Sequence, residues 1–319
     1  MEDYYFLNHD CISCFHIITF KIYYQMLLIN RSFFSNINHI DHLKIVYNFR
    51  HKPKVRCVNI NLFPKLTSLH VSCNKPSDSI LNLRAYEFNF SKIGLNYPRL
   101  QKLKIINCVP PANFNHPILW NNLCNLCISN PSLSIDTLNK FSKLTSLTFR
   151  MRQNDNKIFH TLNCLYNLVK LKMKTINYVV QNIEHASLTN LKSLTINVTR
   201  NQSTLYVSIG HPNLTYLKIS VCKNTSSCKL DIHRQTNLLS LKILNIYMRC
   251  ADNYFKQATD LRVLKLCGSF WFGSYLELSY QYNSKLTYLK ICSYDHVTLN
   301  YMTNLKTKIL NNVKMITEL

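Results

Sequence analysis

The chain has 319 residues, of which 38 are Lys or Arg and 15 are Asp or Glu, giving a formal charge of +23. With 47% hydrophobic and only 17% charged residues it can bury a core without disulfide or metal staples, and its composition is not that of a disordered chain. The four glycines, Gly94, Gly210, Gly268 and Gly273, are scattered. Their scatter excludes a Gly-rich phosphate loop or a dinucleotide fingerprint, because both need clustered glycines for close backbone approach.

The N-terminus, Met1-Glu2-Asp3-Tyr4-Tyr5, is acidic where a secretory signal is basic. The apolar stretch from Cys11 to Ile29 is broken by His16, Lys21 and Gln25, so no membrane span is expected there. Thirteen cysteines, an odd number spread over the whole chain, argue against a closed disulfide framework. The expectation is an intracellular, cytoplasmic protein with reduced thiols. Asn occurs 38 times, which with the Lys and Ile usage is the mark of an AT-rich genome, as in some protists and large DNA viruses. Triplets such as Asn201-Gln202-Ser203 result from that abundance.

Residues 1–38 read as a compact helical module. It opens with Phe6-Leu7-Asn8-His9-Asp10-Cys11-Ile12, continues through Phe15, Ile18, Phe20 and Met26-Leu27-Leu28-Ile29, and closes with Asn30-Arg31-Ser32-Phe33-Phe34. This block resembles the F-box: Leu7 and Asp10 match its opening, and Leu27, Leu28, Arg31 and Phe34 its close. Asn8 stands where the family has Pro, and Phe33 and Phe34 replace its Trp. The resemblance implies docking on a Skp-type adaptor of a cullin–RING ubiquitin ligase, through Leu7, Asp10, Ile12, Phe15, Ile18, Leu27 and Leu28. The alternative is a helical cap that shields the open end of a stack of repeats.

From residue 39 onward a repeat dominates. Twelve segments fit Leu-x-x-Leu-x-Leu/Ile with occasional substitutions, beginning at Ile40, Leu66, Leu100, Leu123, Leu144, Leu168, Leu191, Leu214, Leu238, Leu261, Leu286 and Leu305. From Leu100 to Leu286 the successive starts are nearly evenly spaced, by roughly 21–25 residues. Asn74, Cys108 and Cys222 stand at the ninth position of their segments, counting the first Leu as one. This pattern is similar to the leucine-rich repeat. Each segment predicts a short strand whose alternate apolar side chains cannot be buried by one repeat, so that stacking yields a curved parallel sheet. Pro131, Arg152, Ile176 and Thr199 depart from the Asn/Cys pattern. Pro76 to Asn96 reads as an inserted loop, and Val55 to Ile60 as a strand out of period. Phe114-Asn115-His116-Pro117-Ile118 before Leu123 resembles one copy of the FNIP repeat. Segments such as Asn197 to Pro212 lack a helical pattern, so the convex side is expected to be irregular, with short strands or single turns. The last copy has Lys308 for its second Leu, as a C-terminal cap near 300–319 would. The fold class expected is an α/β repeat solenoid, with a helical module at 1–38 and repeats over 39–319.

Cys11-x-x-Cys14 and Cys124-x-x-Cys127 invite a zinc reading, but the two pairs are far too distant in the chain for a compact zinc module, and Cys127 falls in a repeat strand. His39-x-x-His42 has no Cys beside it to complete a ligand set, and no nucleophile elbow or metalloprotease motif occurs. No metal, cofactor or catalytic residue is expected, and the protein reads as a non-enzyme.

The charge is more telling when placed on the repeat. The residue between the second and third apolar positions faces the concave surface, and over the twelve segments seven are Lys: Lys44, Lys104, Lys172, Lys218, Lys242, Lys265 and Lys290. About one is expected from 27 Lys in the chain. Lys102, Arg150, Lys170 and Lys174 flank that column, with Tyr216 and Tyr288 among them, and none of the 36 concave positions is Asp or Glu. Like charges about 5 Å apart repel by roughly 1 kcal/mol in water, which a solvated face tolerates. An acidic protein partner turns the same column into an attraction. Lys104, Lys170, Lys172, Lys174, Lys218, Lys242, Lys265, Lys290, Tyr216 and Tyr288 are the candidate partner-binding residues. The sequence admits three functions: a ubiquitin-ligase substrate recruiter acting as a monomer within a larger complex, a plain repeat scaffold, and an electrostatic nucleic-acid binder. The last is least favoured, since no nucleic-acid module is recognisable.

Overall fold

A computed structural model describes residues 17–22, 41–48, 65–74, 99–106, 121–128, 141–151, 162, 165–175, 188–198, 205–209, 211, 213–221, 228–232, 237–244, 259–267, 275–279, 283–294 and 296–318. Two compact units divide the chain, Met1–Leu144 and Thr145–Leu319. Every regular element among the described residues is a β-strand. No helix there is long and apolar enough to cross a membrane.

The first unit holds β1 (Ile17–Ile22), β2 (His42–Asn48), β3 (Ser68–Asn74), β4 (Lys102–Ile106) and β5 (Asn125–Ile128), each paired parallel with the next. The strand β1 corrects an expectation, because Ile17–Ile22 falls inside the module read as helical. Its sequence, Ile-Ile-Thr-Phe-Lys-Ile, is β-branched and aromatic, and that favours a pleated half-buried surface over a helix. The ladder from Ile17↔His42 to Ile22↔Tyr47 ties it to β2. The remainder of 1–38, the out-of-period Val55 to Ile60, the Pro76 to Asn96 insertion and the Phe114 to Ile118 motif lie outside the described residues.

In the second unit the strands are β6 (Ser146–Met151), β7 (Lys170–Thr175), β8 (Ser193–Val198), β9 (Leu205–Ile209), β10 (Tyr216–Val221), β11 (Cys228–Ile232) and β12 (Ser240–Leu244). They continue as β13 (Val263–Cys267), β14 (Tyr275–Ser279), β15 (Tyr288–Cys292), β16 (His296–Asn300), β17 (Thr307–Asn311) and β18 (Met315–Glu318). One parallel sheet runs β6-β7-β8-β10-β12-β13-β15-β17. The connecting segments add β9 beside β11, and β14-β16-β18, both parallel. All twelve repeat segments are strands, and short strands form on the return path. The architecture is a parallel-strand β-solenoid built on the repeat segments.

The register explains the core. Leu147, Leu171, Leu194, Leu217, Leu241, Leu264 and Leu289 are successive partners, every one at most 1% exposed. The first Leu of each repeat, from Leu168 to Leu286, forms a second buried column. A third column holds Phe149, Met173, Ile196, Ile219, Ile243, Leu266 and Ile291. Burying each such side chain contributes about 1.5–3 kcal/mol. Three residues before the first Leu lies a further buried position, occupied by Leu165, Leu188, His211 and Asn283. Its carbonyl accepts the amide of that Leu, as in Leu191 N–H to Leu188 O at 2.9 Å. Lys308 stands opposite Leu289 and is exposed, paired with Glu318.

The backbone is relayed from repeat to repeat. The Lys192 carbonyl accepts from Thr215 and Tyr216, Thr215 from Leu239 and Ser240, Leu239 from Arg262 and Val263, and Arg262 from Thr287 and Tyr288. These bonds fix each strand's entry against its neighbour and hold the register. Chain exits after β15 and β17 use the left-handed conformation at Ser293 (φ 65°) and Asn312 (φ 53°).

Leu217→Ala is expected to cost about 2–5 kcal/mol, because the cavity opens between Leu194 and Leu241, while Lys172→Ser on the exposed face stays within about 0.5 kcal/mol. Urea denaturation of the two variants beside the parent checks the difference.

Candidate functional site

Alternation along each strand sends one set of side chains into the core and the other to the open face of the sheet. On that face the register aligns equivalent positions: Lys218 partners Lys242, Lys242 partners Lys265, and Lys265 partners Lys290. Thr195 precedes the row and Ile309 follows it. Each of the four lysines is half-buried. Adjacent strands are about 4.8 Å apart, so the row spans roughly 14 Å over its three intervals.

Aromatic rings steady the row. The Lys242 Nζ lies 5.0 Å from the Tyr216 ring centre, and the Lys265 Nζ 4.6 Å from that of Tyr288. Each contact is worth about 0.5–1 kcal/mol at an exposed site, which offsets part of the repulsion between neighbouring ammoniums. The Asp260–Lys285 and Lys308–Glu318 ion pairs and the Asp41–His42 contact involve none of the row's lysines.

The other candidates are placed by the same register. Lys170, Lys172 and Lys174 project from β7, all exposed, with Lys174 opposite Arg150 of β6. Lys104 is exposed on β4 of the first unit, between His70 and Cys127. Of the adaptor-binding residues, Ile18 falls within β1, while Leu7, Asp10, Ile12, Phe15, Leu27 and Leu28 lie outside the described residues, as do Cys11 and Cys14. No three His, Cys, Asp or Glu side chains come together as a metal site needs, among the described residues.

Sequence reasoning assigned no role to three features. His70 sits in the first unit's row between Lys44 and Lys104. Burial, reinforced by Lys104 and Lys44, lowers its imidazole to about 4. His211 occupies the buried column before the first Leu, 2% exposed, with Nε2 2.8 Å from the Leu188 carbonyl, and burial lowers its pKa also. Cys267 and Cys292 are register partners at the last residues of β13 and β15. Their shared seventh position in consecutive repeats was the available signal.

No protein-family model matches the chain, and no curated protein matches its sequence. Solved structures similar to it include the functional domain of InlJ from Listeria monocytogenes, described as including a cysteine ladder. That similarity has 13% identity and a TM-score of 0.43, over 83% of this chain and 66% of that one. This chain thus spans a little under two thirds of the InlJ structure's length. A leucine-rich-repeat protein of Leptospira interrogans is similar at 14% identity and a TM-score of 0.32, over 93% of this chain and 95% of that one.

The histidines carry a pH dependence with a definite sign. Above pH 6.5 His70 is neutral in both folded and unfolded chains. Between 6.5 and about 4 only the unfolded chain takes up the proton, so stability falls as pH falls through that window. An NMR titration is expected to give His70 a midpoint near 4, and His70→Gln to shrink the loss of stability between pH 7 and pH 4.5 without abolishing it, since His211 contributes in the same direction.

Proposed function

We propose that this protein is a non-enzymatic interaction scaffold whose lysine-bearing sheet face binds an acidic segment of a partner protein. The observation that carries the reading is the in-register row Lys218–Lys242–Lys265–Lys290. Four ammoniums on consecutive strands set a spacing as well as a charge. Carboxylates one turn apart on an α-helix recur every ~5.4 Å. Same-face residues of an extended segment recur only every ~6.6 Å. The helical spacing lies nearer the strand separation of about 4.8 Å, so an acidic helix lying along the row is the partner favoured. Tyr216 and Tyr288 supply apolar surface for its non-acidic side chains.

Two peptides of identical composition test the reading, one helical with Glu at i, i+3, i+7 and i+10, the other held extended. The helical one is expected to bind more tightly, with an affinity that falls as salt rises. Replacing Lys218, Lys242, Lys265 and Lys290 together by Ser is expected to weaken it at least tenfold in a fluorescence-polarisation titration. Equal binding by the quadruple variant would sink the row as the site. Tight duplex DNA binding, with an affinity falling steeply with salt, would favour a nucleic-acid face instead.

A second reading makes the scaffold the substrate-recruiting subunit of a ubiquitin ligase, acting in the cytoplasm as a monomer within that complex. It is supported by the F-box resemblance of Leu7, Asp10, Leu27, Leu28, Arg31 and Phe34, and by the odd, dispersed cysteines of a reducing compartment. The strand at Ile17–Ile22 weighs against a three-helix module there. A pull-down of the full chain on a Skp-type adaptor decides it: a recruiter binds, and Leu27→Asp abolishes the binding while leaving the repeats folded by circular dichroism. An adaptor that captures nothing removes the ligase role and leaves the scaffold.

A further inference from the structure

β13 and β15 each end in a cysteine, and the register makes Cys267 and Cys292 direct partners. Their sulfurs lie 2.9 Å apart, both side chains half-exposed. Neighbouring strands run about 4.8 Å apart, inside the Cα separation of roughly 4.4–6.8 Å that a disulfide spans, and both side chains leave the same face. A bond between them therefore needs no backbone rearrangement. Two other thiols are placed differently. The Cys124 thiol donates to the Asn122 carbonyl at 3.4 Å, and Cys127 stands opposite Lys104.

Charge is arranged around the pair. Lys265 and Lys290 precede the two cysteines by two residues on the same face, and both favour the Cys267 thiolate. Opposing them, burial pushes the Cys267 thiol up to about 12, with the Cys292 sulfur alongside as the next cause. Cys267 is thus the slower of the two sulfurs to attack, and the first attack is assigned to Cys292.

We propose that Cys267 and Cys292 form a redox-modifiable dithiol, converted by a hydroperoxide into one cross-strand disulfide. Cys292, having given its proton to solvent, attacks a peroxide oxygen. An S–O bond forms, the O–O bond breaks, and the departing oxygen regains a proton and leaves as alcohol or water. The Cys267 sulfur then attacks Cys292: the S–S bond forms, the S–O bond breaks, and the released hydroxide carries off the Cys267 proton as water. Two thiols lose two electrons in total, and one hydroperoxide is reduced. The product clamps β13 to β15 directly beside Lys265 and Lys290.

Hydrogen peroxide on the full chain is the probe, followed by denaturation, maleimide blocking of remaining thiols, proteolysis and mass spectrometry without reductant. The expected result is a fragment joining Cys267 to Cys292, lighter than its parts by two hydrogen atoms and released by dithiothreitol, with Cys124 and Cys127 carrying maleimide. In the Cys267→Ser variant the Cys292 sulfenic acid has no partner, so dimedone is expected to trap several-fold more of it than in the parent. Maleimide on both Cys267 and Cys292 after other cysteines have oxidised would overturn the proposal. Linkage of either to a third cysteine in preference to each other would overturn it equally.

Discussion

In-register pairing of parallel strands is the constraint on which the rest of this molecule depends. Each repeat contributes one strand, and each strand sits beside its neighbour with equivalent residues opposite one another, as in Leu217↔Leu241 and Lys218↔Lys242. A choice made at one position of the repeat therefore becomes a column across the sheet. Placed inward, Leu at the fourth position gives a continuous apolar seam from Leu147 to Leu289. Placed outward one residue later, Lys gives a row of charge. Core and surface are set by the same register, and a slip of one residue would exchange them.

The relay of carbonyls that holds this register is a backbone device, indifferent to side-chain identity at the exposed positions. Lys192, Thr215, Leu239 and Arg262 occupy the same place in successive repeats and accept the same pair of amides. A scaffold of this kind leaves its open face free to vary while its inner face cannot. That division is what allows four half-buried lysines to accumulate on consecutive strands, their mutual repulsion eased by two tyrosine rings and by water.

Much of this was legible in the sequence because it is periodic. The Leu-x-x-Leu-x-Ile segments announce both their strands and the side of the sheet on which Lys218 or Lys265 lies. The features that were not legible break the period or fall between its copies. Ile17–Ile22 has no Leu-x-x-Leu frame, and the surrounding apolar residues disguised a strand as part of a helical module. The return strands, such as Leu205–Ile209 and His296–Asn300, are short and have no common pattern. His211 and Asn283 are polar residues in a buried column, and sequence alone assigns such residues to loops. The sulfurs of Cys267 and Cys292 belong to different repeats and meet only once the register is known.

The neutral imidazole of His70 gives the first unit's row a property that its lysines lack. Lys44 and Lys104 help to keep that ring unprotonated, so any anion settling between them relieves the pressure and makes protonation easier. In the acidic range where the ring titrates, association there would be accompanied by net proton uptake, and by reciprocity a more acidic medium would tighten it. Ligand occupancy and acidity would then be two readings of one equilibrium, with the heat of binding depending on the ionisation enthalpy of the buffer. A row without that imidazole has no such coupling.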